Sequence, residues 1–66
     1  MELQLNGKSY QADDKINVDG LLNQLKLNPK QVVVEINSRI LTCDEFSETQ
    51  LVPGDTLEIV QFVGGG

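Results

Sequence analysis

Histidine is absent from the 66-residue chain, and cysteine occurs once, as Cys43. Without histidine, no catalytic triad or dyad that uses an imidazole can form, and one thiol alone cannot build an ordinary structural zinc site. A single cysteine also excludes an internal disulfide, which fits a reducing compartment. Because no histidine can activate its thiol, we predict Cys43 to be a small core residue, and the alternative is a reactive thiol.

Long hydrophobic runs are also missing. None approaches the roughly 20 residues that span a bilayer, and the first residues have neither the basic nor the apolar region of a signal peptide. Chains of this length bury only about 60% of the surface that the unfolded chain exposes. We therefore expect one small, soluble, cytoplasmic domain of marginal stability.

Lysine and arginine are missing from the C-terminal part of the chain. Residues 1–39 carry five acidic and five basic side chains, whereas residues 40–66 carry five acids and no base, which gives the net charge of −5. Nucleic-acid binding needs clustered cations that neutralise phosphates, so this pattern argues against it. An acidic surface near the chain end favours association with a basic partner, and the simpler alternative is that these acids maintain solubility.

Catalytic motifs are absent as well. Gly64-Gly65-Gly66 has no helix behind it to supply the amide groups of a phosphate-binding loop. Asp13 and Asp14 are adjacent in a polar connection, and adjacent side chains rarely converge on one substrate. We therefore expect a carrier or substrate protein and not an enzyme, with no bound cofactor or metal and with neither nucleic acid nor membrane as partner.

Five short segments do have the alternation or the β-branched composition of strands. Asn6-Gly7 joins the first two in the strongest hairpin signal, a type I′ turn, and Asn37-Ser38 joins the next two. Residues 42–50 have no clean period, so we expect an irregular crossing there, with one helical turn and with Phe46 in the core. The predicted strands are residues 1–5, 8–12, 32–36, 39–41 and 56–62.

Between the two hairpins, apolar residues recur at helical spacing. Asn17 is the predicted N-cap, and Asp19 in the first turn suits the helix dipole. Gly20 costs roughly 1 kcal/mol relative to alanine, so packing has to hold this helix. We predict that the helix ends at Asn28-Pro29, because the residue before a proline is disfavoured in the α region. The apolar stripe consists of Val18, Leu21, Leu22 and Leu25.

One helix can cover only one face of the predicted sheet. If Leu57 and Ile59 face the helix, alternation places Val60 and Phe62 on the uncovered face, beside the chain end. An exposed apolar pair rimmed by acids is typical of a docking patch. The alternative is that both side chains fill the rim of a small core.

The last four residues, Val63-Gly64-Gly65-Gly66, offer almost nothing to bury. Consecutive glycines at a chain end are expected to stay extended and mobile. A narrow backbone that ends in a carboxylate can enter a tight active site on another protein, where larger residues would clash. The alternative is an inert, linker-like terminus.

Six segments, in their order and spacing, carry a family resemblance: Leu3–Gly7, Val18–Leu22, Val34–Asn37, Pro53–Asp55, Leu57–Val60 and Val63–Gly66. With these segments the whole chain resembles the ubiquitin-like sulfur carriers of thiamine (thiazole) biosynthesis, the ThiS family. The resemblance implies an α+β fold of the β-grasp type, with a mixed sheet of about five strands and one helix packed on one face. It also implies a folded domain of residues 1–63 and a flexible diglycine-type tail of residues 64–66.

The resemblance further implies a chemical cycle centred on the carboxylate of Gly66. An adenylating, E1-like enzyme activates this carboxylate with ATP, a persulfide donor turns the adenylate into a covalent thiocarboxylate, and thiazole synthase receives the sulfur. The residues expected to contact these partners are Val60, Phe62, Val63, Gly64 and Gly65.

Other functions share this sequence pattern. A carrier resembling the small subunit of molybdopterin synthase uses the same terminal chemistry, and a ubiquitin-like modifier joins its terminal glycine to a lysine. A plain β-grasp interaction module would leave the glycines inert.

The chain also departs from the family pattern at two turns: Asn37-Ser38 stands where Asn-Gly is usual, and residues 13–17 lack the usual glycine, which leaves the geometry of both turns open.

Overall fold

The computed structural model describes residues 1–62, which form a five-stranded sheet with one α-helix packed on one face. Two short 3-10 helices, Pro29–Gln31 and Cys43–Glu45, lie in the connections. The predicted α+β architecture of two hairpins, a helix and a last strand is confirmed. The elements are β1 (Glu2–Leu5), β2 (Lys8–Gln11), α1 (Val18–Gln24), β3 (Val32–Ile36), β4 (Arg39–Leu41) and β5 (Thr56–Gln61).

The last strand lies in the middle of the sheet. The strand order is β2-β1-β5-β3-β4, in which β5 runs parallel to β1 and antiparallel to β3. In this register Leu57 pairs with Leu5 on one side and with Ile36 on the other. The ladder with β1 covers only Thr56 and Leu57, whereas the ladder with β3 continues to Gln61, so the C-terminal end of β5 is paired with β3 alone.

Both hairpins turn through two consecutive residues in the left-handed region. The φ angles are 51° and 81° at Asn6 and Gly7, and 49° and 72° at Asn37 and Ser38. Left-handed φ at both central residues is the signature of a type I′ turn, which confirms the turn predicted from Asn6-Gly7. The second hairpin has the same turn without a glycine.

The side chain of Asn37 accounts for the tolerance of serine in the second turn. Its Oδ1 accepts a hydrogen bond from the backbone N–H of Thr56, and its Nδ2 donates to Oδ1 of the buried Asp55, both at 3.0 Å. Asp55 in turn accepts from the backbone N–H of Val52 at 2.9 Å. The turn is therefore fixed to the start of β5, which offsets the cost of a left-handed Ser38.

Helix α1 begins where the sequence predicts and ends earlier. Asn17 caps it, because its Oδ1 accepts from the N–H of Gly20 at 2.7 Å. The predicted end at Asn28-Pro29 is wrong: the helix stops at Gln24, and Lys26 is left-handed with φ 61°. Backbone bonds from Leu27 to the carbonyl of Leu22 and from Lys26 to that of Asn23 close a Schellman motif.

The core lies between α1 and the helix-facing side of the sheet. Phe46 is buried as predicted, and so are three of the four residues of the predicted helix stripe, while Leu25 is half-buried against them. Leu5 is half-buried against the same core. The buried apolar residues are Leu3, Ala12, Val18, Leu21, Leu22, Val32, Val34, Ile36, Leu41, Phe46, Leu51, Leu57 and Ile59.

The prediction that Cys43 is a core residue is wrong. Its side chain is exposed, and Sγ lies 3.9 Å from the carbonyl oxygen of Pro29. Cys43 is the first residue of a single 3-10 turn, and Phe46, three residues later, supplies the buried side chain of this segment. A turn this short buries one residue, and the larger apolar side chain occupies that position.

Glu45 fixes the same turn from its surface side. Its carboxylate accepts hydrogen bonds from the backbone N–H of Thr42 at 2.8 Å and from the Arg39 guanidinium at 3.0 Å. The Thr42 bond first and the Arg39 bond second lower the pKa of Glu45 below its ordinary value. A lowered folded pKa gives stability that is present above the unfolded pKa and is lost as pH falls through the folded pKa.

Gly20 lies so close to the side chain of Ile16 that a larger residue would clash, which helix propensity does not reveal. A Cβ at this position would lie 2.7 Å from Cγ1 of Ile16 and 3.3 Å from the capping Oδ1 of Asn17. Alanine is favoured over glycine by about 1 kcal/mol in a helix interior, whereas overpacking of a filled site costs roughly 1–3 kcal/mol. The contact atom is the γ-carbon of a β-branched side chain, which has little freedom to move away.

We therefore expect Gly20→Ala to lower the free energy of unfolding by about 1 kcal/mol in a urea titration. Asn23→Ala, at an exposed position of the same helix, is the matched control and should raise the free energy by about 0.5 kcal/mol. A Gly20→Ala protein more stable than the parent would show that Ile16 moves aside without cost.

Candidate functional site

The candidate site lies where β5 ends and the glycine tail begins. The last strand residue is Gln61, and the N–H of Phe62 still donates to the carbonyl of Gln31 at 2.9 Å, one step beyond the last ladder pair. Four of the predicted site residues, Val63, Gly64, Gly65 and Gly66, lie outside the residues that the structure describes. Their roles stay predictions from the sequence.

The other two predicted site residues, Val60 and Phe62, lie on the face of the sheet that the helix does not cover. Leu57 and Ile59 are buried under the helix, so alternation directs Val60 and then Phe62 to the opposite face. Their exposed fractions are 62% and 43%, which contradicts the alternative that both fill the rim of the core.

Two further apolar residues extend this surface. Val33 lies directly opposite Val60 in the β3–β5 ladder and is 42% exposed. Ile40 on β4 is 66% exposed and lies opposite Glu35 of β3. We call the set Val33, Ile40, Val60 and Phe62 the open-face patch.

Sequence reasoning missed Val33 and Ile40 for different reasons. The run Val32-Val33-Val34 has no alternation, so it does not reveal that its middle residue faces away from the helix. Ile40 lies in a three-residue strand, which is too short for a period. Only the register of the two ladders shows that Val33 and Ile40 lie on the open face, because directly opposed residues share a face.

Acidic side chains adjoin the open-face patch. Glu35 on β3 lies directly opposite Glu58 on β5, two residues from the Val33–Val60 pair on each strand. Directly opposed like charges destabilise a sheet by a few tenths to about 1 kcal/mol. The two ion pairs found in residues 1–62 join Met1 with Asp14 and Arg39 with Glu45, so neither balances these carboxylates.

The basic side chains of the strands do not lie on the open face. Lys8 lies opposite Leu5 and Arg39 opposite Ile36, so both project from the side of the sheet that carries the helix. Within residues 1–62 no strand places a lysine or an arginine on the open face. The three other lysines of this range, Lys15, Lys26 and Lys30, lie outside the strands.

Asn6 holds β5 in place beyond the point where β1 ends. Its Oδ1 accepts from the N–H of Ile59 at 2.8 Å, and its Nδ2 donates to the carbonyl of Ile59 at 3.2 Å. The side chain thus replaces one rung of the ladder and fixes the backbone next to Val60. The sequence indicated Asn6 only as a turn residue, so its second role was not predicted.

A shallow cleft of about 300 Å³ opens on the helix side of the same strand end. None of the six residues that line it has an ionisable side chain, so the cleft itself offers no group for acid–base or nucleophilic chemistry. The lining residues are Leu5, Asn6, Leu25, Leu27, Ile59 and Gln61.

Within residues 1–62, no three histidine, cysteine, aspartate or glutamate side chains cluster in a way that would hold a metal ion. In the same range no helix has the length and apolar character needed to cross a membrane. The features of this part of the chain are thus an exposed apolar surface, unbalanced carboxylates beside it and a strand that is paired with β3 up to Gln61.

Comparison with known proteins identifies the family. The model of the ThiS family matches residues 3–66, which is all of the chain except its first two residues. The chain belongs to the ThiS family. The match includes the four terminal residues, so the glycine end falls within the family pattern and is not an appendage to it.

Two individual ThiS proteins are similar to this chain over nearly its whole length or all of it. The sulfur carrier protein ThiS of Bacillus subtilis is 42% identical over 65 residues, which cover 97% of this chain and 98% of that protein. The crystal structure of the thiamine biosynthesis protein ThiS from Geobacter metallireducens superposes with a TM-score of 0.84 at 38% identity, covering all of both chains. The family and the β-grasp fold predicted from the sequence are thereby confirmed.

A third relative is a larger protein. The thiazole synthase of Paramagnetospirillum magneticum is 35% identical over 66 residues, which cover all of this chain and 20% of that protein. The chain therefore spans a fifth of that relative, which also contains a segment of the ThiS type.

Proposed function

We propose that this ThiS-family sulfur carrier of thiamine biosynthesis carries sulfur as a thiocarboxylate on Gly66, formed by way of an acyl adenylate. A free carboxylate is a poor electrophile, because its oxygen is a poor leaving group. Attack of this oxygen on the α-phosphorus of ATP releases pyrophosphate and gives an acyl adenylate. A persulfide then displaces AMP, and a thiol cleaves the resulting acyl disulfide to leave the thiocarboxylate.

The family match through Gly66 carries this proposal. A terminal glycine gives the incoming sulfur an unhindered carbonyl, and Gly64 and Gly65 add no side chains to the segment that has to reach the partner's active site. In this proposal residues 1–63 form the folded domain that the partners bind, and residues 64–66 form the reactive tail. The chain is then a co-substrate of its partners, which supply the catalytic groups.

The open-face patch supports the proposal by providing an anchor. Ordering three glycines costs on the order of 1–2 kcal/mol each, so binding through the tail alone would be weak. Val60 and Phe62 stand just before the tail in the chain, and both are exposed and apolar. Burying them against a partner offsets the ordering cost and fixes where the tail starts.

We propose thiazole synthase as the sulfur acceptor. Bacterial thiazole synthases that contain a segment similar to this whole chain support this assignment. Two polypeptides that are covalently joined in some organisms have an effective concentration in the millimolar range, which favours direct transfer between them. The adenylating enzyme and the persulfide donor are part of this proposal because the ThiS family resemblance implies them.

Reconstitution with purified proteins tests the acceptor. The carrier is first charged with ATP, the adenylating enzyme and a persulfide donor, then separated and added to thiazole synthase with its other substrates. We expect thiazole formation in proportion to the charged carrier, and none with uncharged carrier. Charged carrier that transfers no sulfur to thiazole synthase, but does to a molybdopterin-forming enzyme, would replace this acceptor with the related one.

A further inference from the structure

We infer that the open face of the sheet is a docking surface for a protein that presents apolar side chains beside a lysine or arginine, and that this cation lies between Glu35 and Glu58 in the complex. This inference rests on the proposed function and specifies the chemistry of the partner surface. The occupant to which it applies is thiazole synthase, because bacterial thiazole synthases contain a segment similar to this whole chain.

The register places apolar and acidic pairs side by side on three strands. Val33 pairs with Val60, and two residues away Glu35 pairs with Glu58, with Ile40 on the outer side of Glu35. Two residues along a strand correspond to about 7 Å. A partner that covers Val60 therefore also reaches the carboxylate pair, so the apolar and electrostatic contacts belong to one interface.

Directly opposed carboxylates, as Glu35 and Glu58 are in this register, are unfavourable in a sheet. Cross-strand partners have their Cβ atoms about 5 Å apart, and within residues 1–62 neither carboxylate has a cation within ion-pairing distance. A cation placed between them would remove the mutual repulsion and form two charge-assisted hydrogen bonds. The complementary surface is therefore positively charged.

The same charges argue against a second copy of this chain as the occupant. Two open faces related by a twofold axis would bring the four glutamates of both copies into one contact. In the described part of the chain, no strand supplies a lysine or an arginine on this face to compensate. A heterologous partner with the opposite charge fits, and a symmetric dimer does not.

Charge-neutralising variants test the inference, because they should have opposite effects on the free protein and on the complex. Glu35→Gln and Glu58→Gln each remove one side of the repulsion, so the thermal midpoint of the free carrier should rise by about 1–5 °C. In the complex each variant loses a charged contact, so the Kd for purified thiazole synthase of the same organism should rise about 10-fold. The double variant should also lose most of the salt dependence of binding.

Glu48→Gln is the matched control, since Glu48 is exposed and lies outside the sheet. It makes the same change of charge and should leave the Kd within about twofold. Variants at Glu35 and Glu58 that bind as tightly as this control would overturn the inference, as would a wild-type carrier that forms dimers or does not bind thiazole synthase. Charging of Gly66 is measured on the same samples, so a failure of the proposed function is seen separately, as absence of thiocarboxylate in the wild type.

Discussion

Deletion of Gly66 will abolish formation of the thiocarboxylate and leave the folded domain unchanged. The deletion moves the terminal carboxylate back by one residue, which is about 3.5 Å of extended chain. Reacting atoms have to approach to about 3–3.5 Å, and a displacement of about 1 Å can cost 100-fold in rate. We therefore expect the rate of charging by the adenylating enzyme to fall at least 100-fold.

Two companion measurements make this result specific. Residues 1–62 build the core and the ladders that the structure describes, so we expect the free energy of unfolding to stay within about 0.5 kcal/mol of the parent value. Gly66→Ala keeps the carboxylate at its place in the chain and adds one methyl group next to the reacting carbonyl. It should be charged more slowly than the parent and faster than the deletion. A deletion variant charged at the parental rate would show that the position of the carboxylate does not matter.

Phe62→Ala will weaken binding to the adenylating enzyme without unfolding the carrier. Phe62 is the largest side chain of the open-face patch and the one nearest to the tail. Truncation of a central aromatic contact typically costs about 1–2 kcal/mol or more, so the Kd measured by calorimetry should rise at least about 10-fold. The backbone hydrogen bond from Phe62 to Gln31 does not depend on the side chain.

The matched control for this variant is Val52→Ala. Val52 is also half-exposed, at 52%, but it lies outside the strands near the Pro53-Gly54 turn. It should leave the Kd unchanged. If Phe62→Ala and Val52→Ala bind equally well, the open-face patch is not the anchor, and the tail has to account for binding alone.

Most of the fold follows from local signals in the sequence, because those signals agree with the tertiary structure. The Asn6-Gly7 turn, the Asn17 cap and the alternation around Leu57 each determine one element, and together they place one helix over one face of a sheet. The helix end was predicted too late, because the stop after Gln24 depends on left-handed backbone at Lys26, a residue type with no such preference. That conformation is held by the Schellman hydrogen bonds, which only the folded chain shows.

The candidate site was likewise predicted only in part from the sequence. Alternation from Leu57 and Ile59 was enough to place Val60 and Phe62 on the open face. Val33 and the opposition of Glu35 to Glu58 depend on how β3 and β5 align, and pairing between strands distant in sequence is not encoded in either strand alone. Cys43 was misplaced for a related reason, since only the three-dimensional course of the 3-10 turn shows that Phe46 takes the buried position.

Intact-mass spectrometry of the carrier shows whether Gly66 receives sulfur. The full chain and the Gly66-deleted chain are incubated with ATP, the adenylating enzyme and a persulfide donor, and the protein masses are compared before and after. We expect a mass gain in the full chain equal to exchange of one carboxyl oxygen for sulfur, located on Gly66 by fragmentation, and no gain in the deleted chain. A full chain that gains neither an adenylate nor sulfur while the adenylating enzyme is active would contradict this expectation.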